Sequence, residues 1–237
     1  PRFLILFLLL FCYDLFSICF PQFLSFLFLF CPEGVPIAEP GEDFDGVRVA
    51  ETEDGRGKCL VVTRDVPAGG VVLAERPVFT QGPGQKLRRV AMELQALPAE
   101  RRALMLELAA AGAPEPGGLG RDTNDGAGGA LLEVLRTNGL GMPDRSTAVC
   151  LLVSRANHSC RPNCIFRPEV PLGRAARRRP GRGGDAGAVM RIVAKAPLRS
   201  GDEVLVTYLP EEELLFPGGH RRRSLGGRTW AFDCRCP

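Results

Sequence analysis

Apolar positions in this chain follow two different periods, and the change of period divides it. From Leu87 to Leu108 the residues Leu87, Val90, Leu94, Leu97, Leu104 and Leu108 recur at helical spacing with charged residues on the other faces. That pattern predicts an amphipathic helix packed on a sheet. A second, short helix is expected over Leu131 to Thr137, and the Gly/Pro-rich stretch from Ala111 to Gly129 is expected as loop. Elsewhere the apolar residues come in short runs bounded by Gly and Pro, which is the grammar of strands and turns. Gly55-Arg56-Gly57 leads into Lys58 to Val62 and then a turn at Pro67-Ala68-Gly69. Met190 to Ala194 reads as a short strand, Ser200-Gly201-Asp202 as a turn, and Val204 to Tyr208 as a second strand ending in a tyrosine. Ala148 to Val153 reads as a buried strand.

The first thirty residues obey neither period. Phe3 to Phe30 is almost wholly apolar, holds nine of the fourteen phenylalanines, and exceeds the roughly 20 residues that a membrane-spanning helix requires. Asp14 and Pro21 interrupt it, and no basic cluster sets an orientation. It reads equally as a membrane anchor or as the product of a mis-assigned coding start, and is set apart from the fold. The expected division is therefore an apolar segment at 1–32, a Pro/Glu/Asp linker at 33–45, and a folded domain at 46–237 with an insertion at 82–141 and a tail at 230–237.

Candidate chemistry gathers at the end of the strand from Ala148. The run Arg155-Ala156-Asn157-His158-Ser159-Cys160-Arg161-Pro162-Asn163-Cys164 sets polar and metal-capable side chains beside that apolar approach. Three readings are open: a polar turn that satisfies its own backbone, a Cys/His nucleophilic pair of His158 and Cys160, and a metal site. A second cluster, Cys234-Arg235-Cys236, offers two thiols close enough to share one tetrahedral metal, with Cys160 and Cys164 as the obvious further donors. Tyr208 is the only tyrosine besides Tyr13.

These pieces, in this order, resemble the SET domain of protein lysine methyltransferases. The Gly-Arg-Gly stretch, the Asn-His-Ser-Cys-x-Pro-Asn signature, the Gly-Asp-Glu-Val-x-Val-x-Tyr strand and the aromatic-x-Cys-x-Cys tail carry the likeness from about Gly46 to Pro237. It is nearest to the split-SET branch, as in the SET and MYND family. That family inserts a cysteine-rich MYND finger, whereas the insertion here has no cysteine.

The resemblance implies an α+β, predominantly β, SET fold with a helical insertion and a truncated zinc-binding post-SET tail. It also implies methyl transfer from S-adenosyl-L-methionine to a lysine amine of a protein substrate, histone or non-histone. Deprotonating that amine at neutral pH costs roughly 4 kcal/mol, which a narrow apolar channel helps to offset. In such enzymes the tyrosine at the Tyr208 position lies beside the transferring methyl. Arg56, Gly57, Lys58, Asn138, Asn157, His158 and Phe232 match the cofactor-holding positions, with Trp230 a second aromatic candidate. For Asn138, a helix cap before Gly139 is an equal reading. Cys160, Cys234 and Cys236 match ligands of a structural zinc. The remaining thiolate is expected a few residues beyond the Cys-x-Cys, in a continuation of the chain, with Cys164 as an alternative donor.

Composition is compatible with one globular domain, at 45% hydrophobic and 24% charged residues over 237 positions. A net charge of +3 gives no footprint for nucleic acid. The arginines from Arg174 to Arg182 read as a solvated loop rather than a docking patch. Motif-bound thiols without a disulfide-like framework fit the nucleus or cytoplasm, with membrane attachment only if the first segment is genuine. A monomer is expected. The other function class left open is a non-catalytic SET module that binds a protein partner or histone tail.

Overall fold

A computed structural model of the chain describes residues 37–108, 126–170, 187–226, 234 and 236. The apolar segment and most of the expected tail, with Trp230 and Phe232, lie outside these residues, as does the arginine-rich loop. Among the described residues no helix is long and apolar enough to cross a membrane.

Short strands form four small sheets. β1 (Val47–Glu51) and β2 (Lys58–Val62) make an antiparallel hairpin with Val47 opposite Val62 and Glu51 opposite Lys58. The connection bends at Gly57, whose φ of 89° is costly for any residue with a Cβ. β3 (Val71–Glu75), β8 (Cys164–Glu169) and β9 (Val189–Ala194) form an antiparallel sheet with β9 central. A third sheet orders β4 (Phe79–Gln81), β6 (Thr147–Val149) and β5 (Leu140–Gly141) with β6 central. The fourth is a two-residue parallel pair, β7 (Asn157–His158) on β10 (Leu205–Val206), with Asn157 opposite Leu205 and His158 opposite Val206. Parallel pairing this short needs outside support, and Asn163 supplies it. Its amide donates to the Glu203 carbonyl at 2.9 Å and its Oδ1 accepts the Leu205 N–H at 2.8 Å.

The insertion is helical, with corrections to the expected bounds. The periodic stretch is two helices, α1 (Leu87–Gln95) and α2 (Ala99–Leu106), divided at Leu97-Pro98. Proline disfavours helical backbone at the residue before it and cannot extend the preceding helix. Val90, Leu94, Leu97 and Leu108 are buried as expected, whereas Leu87 is exposed and Met105 takes the buried place next to Leu104. The second helix is longer than Leu131 to Thr137. α3 (Gly126–Asn138) begins inside the glycine-rich stretch expected as loop. Its Leu131, Val134 and Leu135 join Val78, Phe79, Val149 and the α1 and α2 apolar residues in one core. Burial of that face outweighs the poor helix propensity of its first turn.

The strand expected over Ala148 to Val153 ends at Val149, and Val153–Arg155 is a 3₁₀ turn. The cause is Glu75, a fully buried carboxylate at the end of β3. It accepts N–H bonds from Leu151 at 2.7 Å, Leu152 at 3.0 and 3.1 Å, and Val153 at 2.9 Å. Those three donors are thereby lost to sheet pairing. A final helix, α4 (Gly218–Gly226), buries Leu225 with Leu209 and Cys234, against which Cys160, Tyr208 and Cys236 pack.

Candidate active site and thiol cluster

The strand connections converge on a cleft of about 530 Å³. Arg56, Gly57 and Lys58 come from the β1–β2 turn, Asn138 and Gly139 from the end of α3, Ala156, Asn157 and His158 from β7 and the residue before it, and Tyr208 from beyond β10. Phe166, Leu108 and Val153 add apolar lining. Arg56, Gly57, Lys58, Asn138, Asn157 and His158, the described residues expected at the cofactor, all border this one space together with Tyr208, while Phe232 and Trp230 lie outside the described residues.

Two glycines open it. Nothing lies within 4 Å of where a Gly57 Cβ would project, so a ligand can approach that backbone closely. At Gly139 a Cβ would lie 2.5 Å from the Leu135 carbonyl oxygen and 2.6 Å from Thr147 Cγ2. Only glycine lets the chain leave α3 and enter β5 at once, which sets Asn138 on the cleft wall. Asn138 also serves as the cap in the other reading, since its amide donates to the Val134 carbonyl at 3.0 Å.

Glu203 organises one side of the cleft. Its carboxylate takes two bonds from the Arg56 guanidinium, at 2.8 and 3.1 Å, and one from the Asn157 amide at 2.9 Å. Arg56 Nε is taken by Asp54 at 2.6 Å. The guanidinium expected on the ligand is thus committed to two carboxylates, and Asn157 is fixed through Glu203. Glu203 stands in the Gly-Asp-Glu-Val-x-Val-x-Tyr strand that carries the resemblance, where the sequence assigns it no role of its own. The available signal was an acidic residue immediately before a run of β-formers.

Tyr208 is held at both ends. Its N–H donates to His158 Nδ1 at 3.0 Å, and its hydroxyl donates to the Ala156 carbonyl at 2.9 Å. Burial pushes the phenol pKa up to about 12, so at neutral pH the group is a donor and not a base. Burial, with Arg221 adding to it, lowers the His158 pKa to about 4. The ring is neutral at physiological pH and puts no cation beside Tyr208.

Behind Tyr208, ligand atoms of His158, Cys160, Cys234 and Cys236 all lie within 4.8 Å of one another. Cys160 Sγ is 3.7 Å from Cys234 Sγ, and Cys236 Sγ accepts the Cys160 N–H at 3.3 Å. Burial works to raise the Cys236 pKa, but hydrogen bonds from the Cys160 N–H and the neighbouring thiols outweigh it and leave the value below that of an ordinary thiol. Backbone donation to sulfur favours the thiolate, the form that binds metal. Burial pushes the Cys234 thiol the other way, up to about 12, so the fit to the zinc that the SET resemblance implies rests on the geometry of Cys160, Cys234 and Cys236 and on the thiolate character of Cys236.

His158 enters the cluster differently. Because its Nδ1 already accepts the Tyr208 N–H, the neutral ring carries its proton on Nε2, which lies 3.5 Å from Cys160 Sγ. A ligating histidine instead turns a bare nitrogen to the metal and donates from the other. His158 is thus an N–H donor to the Cys160 sulfur. Cys164, the alternative donor, is not a member of the cluster. It is fully buried in β8 opposite Ala194, and burial raises its pKa to about 12. The nucleophilic reading of His158 and Cys160 finds no support here, since a ring with its proton directed at sulfur cannot take one from it.

A metal test follows from the three thiols. Purified wild type is expected to carry about one zinc per chain by elemental analysis, and Cys160→Ser to carry less than half of that. Equal zinc in both would exclude Cys160 as a ligand.

A profile of the SET domain family matches residues 57–209, more than half of the chain. Among solved structures, a Plasmodium falciparum protein described as a candidate histone methyltransferase is 11% identical, with a TM-score of 0.39 over 70% of this chain and 96% of that one. That likeness is too loose to carry function. No curated protein matches the sequence.

Proposed function

Because the chain belongs to the SET domain family, whose members are generally lysine methyltransferases, we propose that it transfers the methyl group of S-adenosylmethionine to the side-chain amine of a lysine in a protein substrate. The observation that carries this reading is the convergence of Arg56, Gly57, Lys58, Asn138, Asn157, His158 and Tyr208, from four separated stretches of chain, on one cleft. When bound, the cofactor supplies an electrophilic methyl on a sulfonium centre.

The residues of the chain bind, align and exclude. Gly57 leaves backbone room for the methionine part, and Asn157, fixed by Glu203, presents β7 to the nucleoside. Tyr208 keeps its phenolic proton, so it orients the incoming amine and cannot act as its base. Leu108, Val153, Ala156 and Phe166 keep the cleft partly dry, which favours the neutral amine over the ammonium. Cys160, Cys234 and Cys236 would hold a structural zinc that ties the chain end beside Tyr208.

The cysteine-free helical insertion supports placement near the split-SET branch without its zinc finger. The substrate class we propose is a protein with an accessible lysine, a histone among the candidates, met in the nucleus or cytoplasm by a monomeric enzyme. Calorimetric titration with S-adenosylmethionine tests the cofactor. Wild type is expected to bind with a dissociation constant of order micromolar, near −8 kcal/mol, and Asn157→Ala is expected to weaken binding at least tenfold. Equal affinity in the two proteins would move the cofactor elsewhere. Binding without turnover on any protein substrate would favour the non-catalytic module.

A further inference from the structure

Cofactor recognition in this cleft must solve a charge problem, because S-adenosylmethionine carries a carboxylate beside its two cationic centres. The cationic side chains that line the cleft among the described residues are Arg56, Lys58 and Arg155. Arg56 is the position that the family resemblance favours. All three of its donor nitrogens are already engaged, Nε by Asp54 and the two terminal nitrogens by Glu203. Moving it onto a ligand would break a bidentate pair and release Asn157 from its anchor. Lys58 begins β2 as an exposed side chain, and an exposed ion pair is worth little.

Arg155 is in the opposite condition. Its side chain is 12% exposed, and its one ion pair among the described residues is to Glu107, whose side chain is 59% exposed. At 3.8 Å that contact is about 1 Å longer than a charge-assisted hydrogen bond. The Arg155 charge is felt by the buried Glu75 carboxylate, but Glu75 spends both oxygens on the backbone of Leu151 to Val153. A sheltered guanidinium with loosely used donors is a strong receptor for a carboxylate, and its planar fork matches two oxygens at once. Arg155 also stands two residues before Asn157, at the end of a 3₁₀ turn whose backbone Glu75 fixes. It is positioned by the same element that presents Asn157.

We propose that Arg155 holds the carboxylate of S-adenosylmethionine, which takes the place of Glu107 on the guanidinium. This deepens the cofactor reading above and rests on it. Arg155 is then a specificity determinant: it selects the cofactor over the same molecule without its carboxylate.

The test compares two ligands by calorimetry, S-adenosylmethionine and its decarboxylated analogue, on the full chain. Wild type is expected to bind the parent compound about 10- to 100-fold more tightly than the analogue, the range for a lost charge-assisted pair. Arg155→Met is expected to abolish the preference by weakening only the parent, with the analogue unchanged within about twofold, and Arg155→Lys to keep part of it. The wild-type ratio needs no variant, so it stands even if Arg155→Met folds poorly. Equal affinity of wild type for both ligands would overturn the assignment. So would equal losses for both ligands in Arg155→Met, or a preference that survives in Arg155→Met and vanishes in Lys58→Met. Failure of wild type to bind either compound would instead strike the cofactor reading itself.

Discussion

Tyr208→Phe is expected to lower the rate of methyl transfer about 100- to 1000-fold, the range seen when one aligned polar group is removed from a reacting centre. Affinity for S-adenosylmethionine is expected to stay within about threefold, because the loss falls on the transition state and not on ground-state binding. The geometry sets this split. The ring packs half-buried against Leu209, Leu225 and Cys234, its backbone N–H is fixed on His158 Nδ1, and its hydroxyl is aimed by the Ala156 carbonyl. Deleting the oxygen removes the bond to Ala156 but leaves the ring and the backbone N–H anchor on His158 in place. Its stability cost is that of one hydrogen bond, about 1 kcal/mol. Since burial holds the phenol pKa near 12, the wild-type rate is also expected to show no tyrosine titration between pH 7 and 9. Separate kcat and KM values check the claim. An unchanged kcat would mean that the hydroxyl does not reach the transfer point.

The largest effect on stability is expected at Glu75. Glu75→Ala strands three backbone N–H groups, those of the buried Leu151 and Val153 and the half-buried Leu152, and empties a fully buried side-chain volume. Each unmet donor costs about 1–3 kcal/mol, so the variant is expected to lose at least 3 kcal/mol by chemical denaturation and, if it folds, to lose cofactor binding as the Val153–Arg155 turn slackens. Glu75→Gln is the sharper probe, because its amide keeps one acceptor oxygen and does not titrate. Burial raises the Glu75 pKa to about 7, against the pull of the three N–H donors and of Arg155. The folded state therefore binds the proton more tightly than the unfolded state does. The contribution is fully present below the unfolded value near 4.5 and is lost as pH rises through 7. Relative to Glu75→Gln, wild type is expected to lose about 3 kcal/mol between pH 4.5 and pH 8, the equivalent of that shift. A difference that grows in favour of wild type with rising pH would show that the backbone donors outweigh burial and hold the carboxylate charged.

The contrast between these two residues explains what the sequence reveals and what it hides. Asn157, His158 and Tyr208 announce themselves because the motifs that carry them, at β7 and just beyond β10, are each contiguous in sequence, although the site contacts they make span 46 to 52 positions. Glu75 contacts residues 76 to 78 positions away, and Glu203 meets Arg56 across 147. Glu75 has no local pattern to mark it as a hub rather than as solvated charge, and the run that contains Glu203 marks its place without naming its partners. Arg155 stood inside the signature run, but its significance lies in what Arg56 has already committed to Glu203, which no periodicity encodes. The helix boundaries failed for different reasons. Pro98 is a readable break inside an otherwise continuous apolar stripe, while the glycines of α3 are carried into helix by the packing of Leu131, Val134 and Leu135. In the thiol cluster the sequence supplied Cys160, Cys234 and Cys236. The part His158 plays there depended on which ring nitrogen the Tyr208 N–H occupies.

The most direct measurement is transfer of a labelled methyl group from S-adenosylmethionine to a mixture of histones and other basic proteins, with the labelled residue identified by mass spectrometry and Tyr208→Phe run in parallel. The expected result is label on lysine side-chain nitrogen with wild type and at least 100-fold less with the variant. Label on another residue type, or equal label from both proteins, would contradict methyl transfer to lysine at Tyr208.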